Sequence, residues 1–126
     1  MPNIRLFFAG LFGLTAVAFG AFGAHALKLS ERWSDIYSTA SHYHLAHAIV
    51  LLCLALCFEV DLHARRKKWL GIAFILMFLG TIIFSGSLYI LAVTEITKLG
   101  MITPIGGGLL MMAWLCLAIV GVLKKK

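Results

Sequence analysis

The side chains of this sequence that could do chemistry are histidines, tyrosines and hydroxyl residues. His44 and His47 are three residues apart, so on a helix they share one face, and His25 could approach them from a neighbouring helix. Three such ligands could hold zinc, copper or haem iron, although an H-x-x-H pair alone is a weak signal. An imidazole also changes charge near neutral pH. The full candidate cluster is His25, Tyr43, His44, His47, Ser85, Ser87, Tyr89 and Thr103.

Hydrolysis and hard-metal binding fit the sequence poorly, because all five acidic residues fall in predicted loops. A serine nucleophile paired with a histidine would need an orienting carboxylate. We therefore predict a protein that is not an enzyme and has no metal or cofactor. Two alternatives stay open: transport or binding of a small molecule or proton at the cluster, and metal or haem binding by His25 and His47.

The composition places these residues in a membrane protein. Of the 126 residues, 62% are hydrophobic and 13% are charged, and the mean hydropathy is +1.00. Soluble domains have roughly 45–50% apolar and about 25% charged residues, and disordered chains are less apolar still. The composition excludes both classes, so the lipid bilayer is the first partner of the chain.

Four stretches are long enough to cross a bilayer, at residues 6–27, 43–58, 69–93 and 104–123. A signal peptide ending at Ala24-His25-Ala26 is the competing interpretation of the first stretch. Its apolar run of about 20 residues exceeds the 7–15 of a signal sequence, which favours a retained span. We predict one all-α domain over residues 1–126, a bundle of four transmembrane helices. Residues 31–41 are expected to form an interfacial or partly bent helical segment, with Ser30 as its N-cap.

The basic residues predict the orientation of these spans. Eight of the eleven Lys and Arg residues fall on the side of the two termini and the middle loop, and Lys28, Arg32 and Lys98 fall on the other. Basic residues beside spans stay preferentially in the cytoplasm, so both termini are expected there. The net charge of +6 is therefore explained by topology and anionic lipid headgroups, not by a nucleic-acid partner.

With this topology, the polar candidates collect in one layer. Ser85, Ser87 and Tyr89 lie 16 to 20 residues beyond Trp69, roughly 24–30 Å up the third span and in its outer third. The histidine candidates and Thr103, the expected N-cap of the fourth helix, lie at the same level. Polar groups inside a bilayer usually face a bundle interior, so this layer is either a site or the structural glue of the bundle.

Small residues should mediate contacts between the spans. A stripe at positions 9, 13, 16, 20 and 23 keeps to one face of the first helix, and small residues let helix backbones approach closely in lipid. A homo-oligomer or a membrane-protein partner could use such stripes too. The glycines predicted to pack helices are Gly13, Gly20, Gly23, Gly80, Gly86, Gly106 and Gly107.

Four motifs resemble one protein family. They are GAFGAHAL at residues 20–27, YHLAHA at 43–48, FSGSLY at 84–89 and ITPIGG at 102–107. In this order, and over nearly the whole chain, they are similar to the YgdD/YwdK-like small inner-membrane proteins. His44 and Ala113 depart from the pattern, which usually has Gln and Gly there, and a ligand role for His44 is weakened accordingly. The resemblance implies a four-span protein of the bacterial inner membrane and, since the family has no known function, assigns no residue a role.

Overall fold

The computed structural model describes residues 1–124 and consists of four long helices and one short turn. The helices are α1 (Ile4–His25), α2 (Glu31–Cys57), α3 (Ala64–Thr94) and α4 (Thr103–Val122), and Thr97–Met101 forms a 3₁₀ turn before α4. Four helical segments, the last including that turn, are long and apolar enough to cross a membrane. The described residues contain no strand. The prediction of an all-α, four-span membrane protein is confirmed.

Helix α2 is one continuous helix of 27 residues, which begins well before the apolar run that predicted it. Its first half packs along α1, where the Tyr37 hydroxyl donates a hydrogen bond to the Phe19 carbonyl. A Cβ atom built at Gly23 would overlap the Tyr37 ring, so glycine is required for this approach. Tyr37 is 8% exposed and Ala40 is fully buried. Residues 31–41 are therefore helical, as expected, and form one helix with the apolar run that follows them.

The helices pack in chain order. Helix α2 lies between α1 and α3, and α3 lies between α2 and α4. The most deeply buried large side chains are Leu51 on α2 and Met77 and Thr81 on α3, so the core lies around these two central helices. Within the described part of the chain, the backbone of α1 lies close to that of α2 alone, α1 reaches α3 only through side chains, and just Ala9 and Ala16 of α1 are buried. The first helix is thus the least enclosed of the four.

Glycines bring α3 and α4 closest together. A Cβ at Gly106 would lie 2.8 Å from the Phe84 Cα, and one at Gly80 would lie 3.0 Å from the backbone nitrogen of Leu110. Real Cβ atoms are essentially never found closer than 3.0 Å to such neighbours, so the crossing at Gly106 depends on a missing side chain. Close backbone approach of this kind is the usual way in which helices associate in lipid.

The remaining predicted packing glycines divide into two groups. A Cβ at Gly20 would lie 3.4 Å from Ser41 Oγ and one at Gly107 would lie 3.6 Å from the Phe84 ring, both ordinary contacts. Gly13 and Gly86 do not pack against another helix of this chain, since a Cβ at either would meet no atom within 4 Å. For these two positions the structure disagrees with the packing prediction, because α1 and α3 are not in direct contact there.

Three segments of the chain meet at one end of the bundle. The Arg5 guanidinium, near the N-terminus, lies 3.9 Å from the centroid of the Phe58 ring in the α2–α3 connection. Arg66 donates a hydrogen bond of 2.9 Å to the Leu123 carbonyl at the end of α4. The basic residues assigned to one side by the sequence are therefore on one side of the fold. The lysines at positions 125 and 126 lie outside the described residues.

Candidate functional site

His44 is the centre of a hydrogen-bonded group that joins three helices. Its Nε2 lies 3.2 Å from Thr15 Oγ1 on α1, and its Nδ1 lies 3.0 Å from the Tyr89 hydroxyl on α3. The Thr15 hydroxyl donates its proton to the carbonyls of Leu11 and Phe12, at 2.9 and 3.1 Å. Thr15 Oγ1 must then accept the Nε2–H of His44, whereas in the bond between Nδ1 and the Tyr89 hydroxyl either group can be the donor.

His47, one turn further along α2, joins α2 to α4. Its Nδ1 lies 2.8 Å from the Tyr43 carbonyl, and Trp114 Nε1–H donates to its Nε2 at 3.3 Å. A carbonyl only accepts and an indole N–H only donates, so both bonds fix the ring as neutral with its proton on Nδ1. The two histidines of the predicted pair thus point to different helices. They are 7% and 6% exposed, and they do not form one shared site.

Serine and threonine hydroxyls make two more contacts between helices. Ser85 Oγ donates a 2.9 Å hydrogen bond to the Ala40 carbonyl and so connects α3 to α2. Ser87 Oγ donates to the Phe84 carbonyl at 3.0 Å and lies 2.7 Å from Thr103 Oγ1. Because the Ser87 hydroxyl proton is already donated to the Phe84 carbonyl, the Thr103 hydroxyl is the donor of the second hydrogen bond. This second bond connects α4 to α3.

The expected N-cap role of Thr103 is wrong for this reason. Helix α4 begins at Thr103 itself, its N-cap residue is Ile102, and no side chain caps it. The Thr103 hydroxyl is engaged by Ser87, and Pro104 follows in the first turn, where its missing N–H costs nothing. Ser30 does occupy the N-cap position of α2, but its side chain makes no capping hydrogen bond.

Two predicted members of the cluster have different surroundings. His25 ends α1 and is exposed, and the described residues give it no hydrogen-bond partner. Tyr43 is 40% exposed; it contributes its carbonyl to His47 and stacks on the His47 and Phe84 rings, with centroids 5.8 and 4.6 Å apart. The structure thus pairs His44 with Tyr89, Ser87 with Thr103 and His47 with Tyr43, bonds Ser85 to a backbone carbonyl, and leaves His25 apart.

The polar groups reach deeper into the bundle than the outer third. Thr15 lies ten residues before the end of α1, which is about 15 Å along the helix and near the middle of a 30 Å hydrocarbon layer. His44 lies at the same level as its partner Thr15. Helix α2 extends from Glu31 to Cys57, so His44 lies at the middle of this helix.

Several residues of these groups were missed from the sequence. Thr15, Tyr37 and Trp114 supply hydrogen bonds between helices, and Thr81, 1% exposed, donates to the Met77 carbonyl. A lone hydroxyl in an otherwise apolar span is a signal that would have identified Thr15, and Thr81 shares its span with the serines already singled out. No pattern in the sequence pairs Trp114 with His47, because the two are 67 residues apart.

A cleft of about 210 Å³ opens beside His44 between α1 and α3. Its lining includes Phe12, Thr15 and Phe19 of α1 and Gly86 and Tyr89 of α3. The missing side chain at Gly86 leaves this space open. The cleft is mostly apolar, since the hydroxyl and imidazole groups around it are bonded to one another.

The geometry gives metal binding little support. Residues 1–124 contain no group of three or more His, Cys, Asp or Glu side chains placed to hold a metal ion. Both ring nitrogens of His47 are engaged, and a metal at Nε2 would have to displace the Trp114 N–H. The described side chains also leave no buried polar atom without a hydrogen-bond partner.

Comparison with known proteins identifies relatives but no activity. Residues 19–107 match the family model described as "Protein of unknown function (DUF423)". The chain is 40% identical over 116 residues to the UPF0382 membrane protein YwdK of Bacillus subtilis, covering 86% of this chain and 88% of that protein. It is 34% identical over 126 residues to the UPF0382 inner membrane protein YgdD of Escherichia coli, covering 98% and 92%. A UPF0382 membrane protein of Staphylococcus epidermidis is 40% identical over 119 residues, 93% of each chain. No solved structure matches the chain.

Proposed function

Because the chain belongs to the DUF423 family of inner-membrane proteins, for which no function is assigned, we propose a function from its own geometry. It acts without catalysis, by associating inside the bilayer with a second copy of itself or with another membrane protein. The polar layer is then the device that holds the bundle together, and the exposed face of α1 is the associating surface.

The closed pairing of the polar groups supports a structural role for the layer. The His44 group connects α1, α2 and α3, and the His47 group connects α2 and α4. A catalytic or transporting side chain needs a donor or acceptor that is free for its substrate. In the described residues each buried polar side-chain atom already has a partner within the protein.

The observation that carries the association proposal is the exposure of α1. This helix packs on α2 by the stripe through Ala9 and Ala16, and the opposite face presents Leu14 and Val17, each 66% exposed. Gly10 lies on that exposed side, and a Cβ there would meet no atom within 4 Å. A helix held by one neighbour, with small residues on its free side, is suited to pack against a further helix.

Cysteine cross-linking in native membranes tests this association. Cys53, Cys57 and Cys116 are first replaced by alanine, and Leu14→Cys is then oxidised with a membrane-permeant catalyst. Met111→Cys on α4 is the matched control, because Met111 is 74% exposed and also lies near the middle of its helix. Covalent dimer or a heterologous adduct is expected from Leu14→Cys only. Equal cross-linking of both variants, or of neither, would contradict the proposal.

We also propose that the end of the bundle with Arg5 and Arg66 faces the cytoplasm. The contacts of these residues gather the N-terminus, the middle connection and the end of α4 on that side, and basic residues favour the cytoplasmic side. The same charges are explained without a nucleic-acid partner. A cysteine at position 67 should be modified by a membrane-impermeant thiol reagent only after the membrane is opened, whereas one at position 98 should react in intact cells. The reverse result would contradict this orientation.

A further inference from the structure

The groove between α1 and α3 contains a second cavity, at the same end of the bundle as the two termini. This cavity has a volume of about 280 Å³. Its apolar lining is Phe8 from α1 and Phe74, Ile75, Phe78 and Leu79 from α3, and Arg5 lies at its edge. Since Ile75 is 59% and Leu79 is 45% exposed, the cavity opens sideways from the bundle, toward the surrounding lipid.

Aromatic rings close the cavity at its upper end. The Phe78 ring lies 5.3 Å from the Phe8 ring and 4.8 Å from the Phe12 ring, measured between centroids. These contacts bridge α1 and α3, as the Phe19 and Tyr89 rings do further up with centroids 5.1 Å apart, and they divide this cavity from the cleft beside His44. The lower cavity is therefore a short apolar slot with a closed top and an open side.

Arg5 gives the lower end of the slot a positive charge. Its guanidinium lies 3.9 Å from the centroid of the Phe58 ring, in a cation–π contact that holds the group in place. A guanidinium stacked by its face keeps the N–H donors along its edge available, and these match the geometry of a phosphate. The slot thus combines apolar walls with an Arg5 guanidinium that is placed to donate hydrogen bonds to a phosphate.

Helix α3 adds two more cations below the slot. Lys67 and Lys68 precede Phe74 and Ile75 by seven residues, so they lie on the same face of α3, about 10 Å lower. Both lysines are exposed. The acidic residues of the adjoining connection are Glu59 and Asp61, and Glu59 accepts a hydrogen bond from Asn3. Positive charge from two helices therefore surrounds the open end of the slot.

We propose that this slot binds an anionic phospholipid from the leaflet on the side of the termini. One acyl chain lies against Phe74 and Phe78, and the phosphate is bound by Arg5 and attracted by Lys67 and Lys68. The volume supports one chain segment and not a whole lipid, because pockets that enclose a complete small ligand start at roughly 300 Å³. This binding goes beyond the association proposed above and does not depend on it.

Native mass spectrometry of the full chain in detergent tests the headgroup part. Phosphatidylglycerol and phosphatidylcholine with identical acyl chains are the two probes, and the first is expected to bind more tightly. Each basic residue near a membrane surface contributes about 1 kcal/mol, so Arg5→Gln should weaken phosphatidylglycerol binding about fivefold. The Lys67→Gln/Lys68→Gln double variant should weaken it up to about 25-fold. Phosphatidylcholine binding should change little, and Lys98→Gln, at the other end of the bundle, is the control.

A second pair of variants tests the slot itself. Leu79→Trp fills the cavity and should weaken the binding of both lipids, whereas Leu52→Trp, on the exposed face of α2, should weaken neither. Arg5→Lys keeps the charge and should retain the preference for phosphatidylglycerol, which separates loss of binding from loss of folding. Equal affinity for the two lipids overturns the proposal. So does a headgroup preference that is unchanged in the Arg5→Gln and double-lysine variants, or lipid binding unaffected by Leu79→Trp.

Discussion

The bond between Trp114 and His47 gives the sharpest test of the structural role of the polar layer. Trp114→Phe removes the N–H donor and leaves His47 Nε2 without a partner, while the ring of the side chain is largely retained. Interhelical hydrogen bonds in membrane proteins contribute about 0.6 kcal/mol on average and at most about 1.7 kcal/mol. We expect Trp114→Phe to lower the free energy of unfolding by about 1 kcal/mol.

His47→Ala should cost more, because it removes two hydrogen bonds and leaves a cavity where a 6% exposed ring was packed. The loss of two hydrogen bonds, each contributing about 0.6–1.7 kcal/mol in a membrane protein, together with the loss of packing should lower the free energy of unfolding by about 2–4 kcal/mol. The double variant should be less destabilised than the sum of the single variants, by roughly the energy of the shared bond. A coupling of about 0.6–1.7 kcal/mol is therefore expected.

The measurement is reversible unfolding in mixed micelles as the denaturing detergent is titrated, followed by fluorescence of Trp33 and Trp69, which all these variants retain. Trp33→Phe combined with His47→Ala, measured through Trp69, is the control pair and should show no coupling. If the His47 and Trp114 variants are additive within about 0.3 kcal/mol, the bond contributes nothing and the reasoning fails. A large loss of a ligand-dependent signal, with stability unchanged, would instead assign His47 to a binding site.

Three further predictions test other features. Gly106→Ala should destabilise the bundle by about 1–3 kcal/mol because its Cβ would strike the Phe84 backbone, whereas Gly108→Ala, with open space around it, should be neutral or stabilising in the same unfolding assay. His44→Gln should cost under about 1 kcal/mol, since an amide both donates and accepts, and His44→Leu about 1–3 kcal/mol because the Tyr89 hydroxyl loses its partner and Thr15 loses a donor; a larger loss for Gln than for Leu would contradict a hydrogen-bonding role of His44. Glu95→Gly should stabilise the chain by about 1 kcal/mol, because Glu95 has a φ of 58° at the end of α3, and unchanged thermal stability would argue against that backbone conformation.

Much of the fold follows from the sequence because the bilayer imposes simple rules. A span must be long and apolar, so the apolar stretches predicted the number of helices and the approximate region of each. The predicted helical segment before the second apolar run, with Ser30 at its N-cap, is where α2 begins, but hydropathy could not show that Tyr37 and Ala40 are buried by their particular neighbours on α1. The up-and-down order of the spans also predicted that Arg5 and Arg66 lie at the same end of the bundle, as they do.

The sequence predicted most of the residues of the candidate site, but not which of them bond to each other. Depth alone brought His44, His47 and Tyr89 to one region, and the structure bonds His44 to Tyr89. The division into two groups depends on which way each ring points, and this is set by the contacts of α2 with Thr15 on one side and Trp114 on the other. Such contacts join residues that are far apart in the chain, so they cannot be predicted from the local periodicity of the sequence.

The sideways opening of the groove between α1 and α3 decides how a molecule would reach this protein. The slot near Arg5 and the cleft beside His44 both lie along that groove, between helices that are apolar enough to span a membrane. A molecule would arrive by diffusion in the plane of the membrane, and its concentration is its mole fraction among lipids, not its molarity in water. An abundant lipid could then fill the slot with only modest affinity, and experiments on this protein should vary membrane composition before they vary solutes in the buffer.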